Sequence, residues 1–175
     1  MNVQELLIHF MQTLHDGYIA ALDDLSDEQL NWRYSDDAVS PGFHAWHYIR
    51  TKDNIVNFVC QDRKPPVWLR QGLNESWNFP KVAQGTDMAR DEAQQLLIPS
   101  VPQLIAYFND VHEDVLEYLN ASTDASLAET VRVVQFGHQA KSQQIMQTCI
   151  AHGNGHLGQI LNTRTVMGHP ARIDF

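Results

Sequence analysis

Cysteine is scarce in this chain: Cys60 and Cys149 stand alone among 175 residues, and neither lies in a CxxC spacing. That argues against a disulfide-stapled scaffold or a thiolate zinc ribbon, and both side chains read as free buried thiols. Long apolar runs are also missing, since no stretch approaches the roughly 20 residues that a membrane-spanning helix needs. The opening MNVQELLIHFMQTLHDGY has neither the basic start nor the unbroken apolar segment of a secretory signal. A cytoplasmic location is therefore the expectation. Positive charge is short too, with 12 Lys and Arg against 21 Asp and Glu and a formal net charge of −9. Such a surface repels phosphate backbones, and no basic cluster is present to hold anionic lipid. Neither nucleic acid nor a membrane is expected as a partner. P-loop and GxSxG patterns are both absent.

What is present fits one helical domain over residues 1–175. Apolar residues make up 43% and charged residues 19%, enough for a real core and too little charge for disorder. From residue 3 to 22 the apolar positions Val3, Leu6, Leu7, Phe10, Met11, Leu14, Tyr18, Ala21 and Leu22 recur at helical spacing. Ser26 with Gln29 forms a capping-box pattern for a short turn. Ser40 and Pro41 open a second long helix, which the prolines of QDRKPP stop after Cys60. Residues 61–100 read as a long crossover with one short helix near 86–97. Ser100 and Gln103 start a third long helix. VRVVQFG has the composition of extended chain, and a fourth long helix runs from His138–Ser142 to about Met167, ended by Gly168 and Pro170. Four long amphipathic segments and one long crossover predict an all-α four-helix bundle.

Nine histidines are present, and most need no special role. His9, His15, His138 and His169 stand singly, and His112 borders the core stripe of the third helix. The informative pair is His152 and His156. At i, i+4 they share one face of the fourth helix, roughly 6 Å apart along its axis. They also fall on the apolar stripe, where two neutral imidazoles need partners and where one ion would satisfy both. Gly153, Gly155 and Gly158 each cost the helix about 1 kcal/mol relative to alanine. Room for an ion and substrate, or close approach of another helix, would offset that. The second helix offers His44 and His47 at i, i+3. Either completes a three-ligand site with an open position, and both together close it. HGNGH lacks the glutamate of HExxH, so the usual metalloprotease base is missing. Asp53 and Glu5 are the other acid or base candidates. Arg50 and Arg164 lie near the histidines in sequence; either could face the pocket and hold a substrate carboxylate, and the solvated face is their expected place.

Three stretches together resemble the DinB-like family. Leu25 to Arg33, LSDEQLNWR, is similar to its L-S-x-E-Q-L-x-W-R turn. Trp46-His47 followed by YIRTKDN is similar to its W-x-x-W-H-I-A-R-x-E-D stretch. His152 to Ile160 is similar to its H-x-x-x-H-x-G-Q-I signature. The resemblance implies a DinB-like four-helix bundle with a metal site on His47, His152 and His156. His44 then becomes a pocket or supporting residue, as does Asp53. It also implies a homodimer and one divalent ion, zinc or nickel foremost, with iron or manganese as alternatives. Some relatives use a low-molecular-weight thiol such as bacillithiol or mycothiol as cosubstrate. The chain departs from the pattern at Gly153, where an acidic residue often stands, and at Lys52-Asp53, where the family has two acids.

The function expected from these readings is a metal-dependent enzyme acting on a small molecule. It would be a thiol-dependent S-transferase or isomerase, or a hydrolase. The alternative is a non-catalytic, stress-related bundle that holds a metal or small ligand. An open position facing a solvent-reachable cavity favours the first, and a closed four-histidine shell the second.

Overall fold

The computed structural model describes residues 1–133 and 136–170. Helix α1, Val3–Leu22, is capped by Asn2 and Glu5 in reciprocal bonds. The one-turn α2, Asp27–Leu30, carries the expected Ser26–Gln29 box, formed in both directions. Helix α3, Pro41–Asp53, begins on the Ser40 hydroxyl and continues as a π-helical turn, Asn54–Val59. Together they match the helix expected over 41–60. The crossover holds three short helices rather than one: α4 (Val67–Arg70), α5 (Leu73–Ser76) and α6 (Arg90–Gln95). Helix α7, Val101–Ala121, starts where Ser100 accepts from the Gln103 N–H, and α8 is the single turn Asp124–Leu127.

Strands β1 (Thr130–Val133) and β2 (Gly137–Ala140) then pair antiparallel, with Thr130 opposite Ala140 and Arg132 opposite His138. The extended reading of VRVVQFG falls partly on this hairpin and partly on 134–135, outside the described residues. The last long helix is built from α9 (Lys141–Ile145), a second π-helical turn (Met146–Ala151) and α10 (His152–Val166). Apart from the hairpin the structure is helical. The bundle closes as a ring in which α1 packs on α7 and α10, and α3 packs on the same two.

The interior is centred on α3. Every residue of that helix except His44 is buried, the condition of a helix enclosed on all sides. Trp46 meets Trp68 and Phe79, and Trp68 in turn meets Trp77 and Tyr107, mostly edge to face. Pairs of this kind contribute about 0.5–1.5 kcal/mol each beyond burial. Three of these five rings come from the crossover, which is thereby part of the core despite its irregular sequence.

The fully buried carboxylate of Asp53 organises the crossover further. It accepts from the backbone N–H groups of Val67 and Trp68 at 3.0 Å each, from the Tyr107 hydroxyl at 2.8 Å and from Asn57 at 2.9 Å. Those bonds tie the start of α4 to the end of α3. Arg50 lies 3.8 Å from the same carboxylate and sits over the Trp68 ring.

A candidate metal centre

Helices α3 and α10 pack against each other along the length that carries the histidines. His47 faces His152 and His156 there, and these three offer ligand atoms all within 4.8 Å of one another. The Nε2 atoms of His47 and His152 are 3.1 Å apart, and those of His152 and His156 are 3.0 Å apart. A tetrahedral site with metal–nitrogen bonds of about 2.0–2.1 Å needs edges near ~3.3 Å. A small opening of the triangle would therefore seat an ion.

The outer nitrogens decide which lone pairs are free. His47 Nδ1 lies 2.5 Å from the Gln84 carbonyl, and His152 Nδ1 lies 3.2 Å from the Thr148 carbonyl. A carbonyl only accepts, so each Nδ1 carries the hydrogen and each Nε2 presents a bare lone pair. Two such lone pairs at 3.1 Å repel unless a proton or a cation lies between them. Burial opposes the proton: the imidazoles of His47 and His152 are both pushed below the ordinary value, with desolvation the largest cause. His156 is lowered to about 3 by burial, then by His47, His152 and His44. A cluster that resists protonation and points its lone pairs inward fits a divalent cation.

His44 stands behind this triangle. Its Nδ1 is 3.0 Å from the Nδ1 of His156, the nitrogen turned away from the other two rings. It is lowered to about 4 by burial and by His47, so the two rings share one hydrogen between their Nδ1 atoms. When His156 donates, its Nε2 is bare and joins the other two. The four histidines thus form a triangle with one support, and a closed four-ligand shell is not what the rings make.

The triangle opens on a cavity of about 550 Å³, walled also by Phe43, Thr51, Phe136, Gln147 and the loop residues Gly85 to Asp87. The short helix expected near 86–97 covers only Arg90–Gln95, so Thr86 and Asp87 lie in this loop instead. Gln84 supplies the carbonyl for His47. Gly85 has φ of +94°, and a Cβ there would lie 2.9 Å from His47 Nδ1. Asp87, with φ of +57°, brings a carboxylate to the cavity wall. The signal that could have found them is the QGTD composition of the loop, a turn-forming run in the crossover.

Other candidates take different places. Asp53 does not line the cavity and is consumed by the crossover bonds described above. Glu5 is exposed and caps α1. Arg50 and Arg164, expected on the solvated face, are 2% and 0% exposed, yet neither lines the cavity. Arg164 forks onto the Asp24 carboxylate at 2.6 and 3.2 Å and donates to the Ala21 carbonyl, holding α10 to the end of α1. The glycines divide. A Cβ on Gly153 would meet Tyr48 at 2.5 Å and Leu14 at 2.7 Å, so close helix approach explains it, whereas Gly155 and Gly158 face open space. Cys60 and Cys149 are buried and free, as expected.

A family model described as the DinB superfamily matches residues 11–160. The chain belongs to the DinB superfamily. In fold it is similar to a crystal structure described as the conserved protein of locus from Enterococcus faecalis. The TM-score is 0.81 and the identity 19%, with 96% of this chain and 99% of that chain covered. No curated protein matches the sequence. Among the described residues, no helix is long and apolar enough to cross a membrane.

Proposed function

We propose that this DinB-superfamily chain is a metal-dependent enzyme that holds one divalent ion on His47, His152 and His156 and acts on a small molecule in the adjoining cavity. The observation that carries this reading is the inward convergence of Nε2 lone pairs beside an open cavity, with the outer nitrogens already committed to Gln84, Thr148 and His44. Three imidazoles suit zinc or nickel best, with iron or manganese as alternatives. When bound, the ion would supply Lewis acidity and lower the pKa of a thiol or water placed at its open position. That chemistry serves thiol-dependent S-transfer or isomerisation, and hydrolysis as a variant.

The chain's own residues would do the rest. Gln84 and Thr148 hold the His47 and His152 rings in one tautomer and one orientation. His44 does the same for His156. Phe43 and Phe136 keep part of the cavity wall apolar. Asp87 is the one carboxylate among the described lining residues, placed to take a proton from an incoming thiol or water.

The test is metal content by plasma mass spectrometry on tag-free protein loaded with zinc or nickel. One equivalent is expected in the wild type and none in His47→Ala, His152→Ala or His156→Ala. His44→Ala should keep the ion with affinity reduced about 10–100-fold, as for other groups that orient a ligand. A wild type that takes up neither metal would remove the enzyme reading. If metal binds, Asp87→Asn should then lower thiol-transfer or hydrolase turnover without changing metal content.

A further inference from the structure

A second cavity of about 490 Å³ adjoins the first, and the two share Thr51, Thr86, Phe136 and Thr148 as common wall. They are two lobes of one cleft. The wall of the second lobe is largely apolar, through Ile55, Phe58, Val59 and Val82 together with Phe136. Phe58, Val82 and Phe136 keep 42%, 77% and 42% of their surface exposed, so the lobe can be entered from solvent.

Among the polar residues of this wall, which include Thr51, Asn54, Gln84, Thr86 and Thr148, two further groups stand out. Gln144 is fully buried, and its amide nitrogen donates to Thr148 Oγ1 at 2.5 Å. Among the described residues its Oε1 has no hydrogen-bond partner. A buried amide oxygen left unpaired is a cost that native structures seldom carry without a reason. Here the oxygen belongs to a side chain that lines a cavity large enough for a ligand. The second group is Arg132 on β1, the only charged side chain among the described residues of this lobe. On a chain of net charge −9, a single guanidinium at an apolar cleft is a local point of attraction for an anion, and its fork matches a carboxylate.

We infer that this lobe binds the far end of the substrate, and that the substrate is an elongated organic carboxylate. Its carboxylate pairs with Arg132, its apolar middle lies along Ile55, Val59 and Phe136, and a donor such as an amide N–H meets Gln144 Oε1. The inference rests on the reading of the three-histidine pocket as the reaction centre, because the reacting end must then point across Thr51 and Thr148 toward His47.

The probes are 4-phenylbutyrate and 4-phenylbutanol, which differ in charge and hardly in shape. They are titrated into the isotope-labelled full chain, before and after zinc loading, and followed by amide chemical shifts. The carboxylate should bind about tenfold more tightly than the alcohol, the size expected of one charge-assisted bond at a partly open site. The shifts should fall on β1 and on the Gln144 side-chain amide. Arg132→Gln should erase that preference and leave alcohol binding unchanged, and Phe136→Ala should weaken both ligands. Equal binding of the two probes overturns the inference, and so does a preference that survives in Arg132→Gln. Arg132 is exposed, so its variant carries no folding burden. Zinc stoichiometry measured on the same samples reports on the triad alone. Failure there strikes the metal reading, while loss of the carboxylate preference with zinc intact strikes only the subsite.

Discussion

At the scale of single residues, Gly85 controls the metal triangle without being one of its nitrogens. Its φ of +94° lies where side chains are strained, and a Cβ would press on His47 Nδ1 at 2.9 Å and Phe43 at 3.0 Å. The Gln84 carbonyl one residue earlier holds that same nitrogen. Alanine at 85 must therefore either twist the loop or push the imidazole off its carbonyl. Gly85→Ala should lower zinc affinity about 10–100-fold, the range seen when a ligand loses its orienting partner, and a competition titration against a chromophoric chelator would show it. Unchanged affinity would mean that the loop does not position His47. The outer nitrogens of His152 and His156 illustrate the same point. The Thr148 carbonyl lies in the π-helical turn just before His152, while His44 comes from another helix, so the three supports have three unrelated origins.

At the scale of elements, α10 carries three glycines that ask for opposite tests. Gly153 sits where α10 meets Tyr48 of α3 and Leu14 of α1, and the Tyr18 hydroxyl donates to its carbonyl at 2.8 Å. A methyl group there overpacks the crossing, and Gly153→Ala should cost about 1–3 kcal/mol. Gly155 and Gly158 meet nothing within 4 Å, so Gly155→Ala and Gly158→Ala should each stabilise by up to about 1 kcal/mol through helix propensity. Urea denaturation of the three variants checks both signs at once. A stabilising Gly153→Ala would contradict the close packing of α10 on α3. The crossover teaches a related lesson. Its helices α4 and α5 are one turn each, too short to hold themselves, and they persist because Asp53 and the tryptophan cluster anchor them to α3 and α7.

For the whole molecule, the notable feature is buried basic groups away from the candidate metal centre. Lys52, 1% exposed, lies 3.4 Å from His112 Nδ1, and His112 Nε2 meets Gln12 Oε1 at 3.0 Å. His15 stacks on His112 at 3.9 Å. Burial, followed by Lys52, lowers His15 to about 4 and His112 to about 3. The unfolded chain therefore binds more protons than the folded one between those values and the ordinary 6.5. Stability from these groups is intact above 6.5 and is lost as the pH falls toward 4. Lys52, lowered by burial to about 8 from 10.5, has the same sign in a higher window: stability rises as the pH rises from 8 to 10.5. The urea midpoint should therefore drop between pH 7.5 and pH 5, with metal removed so that the triad histidines add only in the same direction. A midpoint that holds or rises over that interval would show that these rings are protonated in the fold.

Local periodicity was enough to determine the four long helices, the serine caps Ser40 and Ser100 and the shared face of His152 and His156. Those features depend on residues within one or two turns of each other. The same logic left His44 and His47 equivalent, because i and i+3 lie on one face. The resemblance to known sequences chose between them, and the packing of α10 then set His47 into the triangle and His44 behind it. Arg50 and Arg164 look like surface charges in sequence, Asp53 looks like a pocket residue, and nothing marks Lys52 as buried. They are buried because their partners, the Trp68 ring, His112, the α4 backbone and Asp24, come from distant segments. The Gln84–Asp87 loop and the second lobe of the cleft have no periodic signal at all. Only the tertiary structure decides such convergences, since they depend on where separate elements meet and no short stretch of chain encodes that meeting.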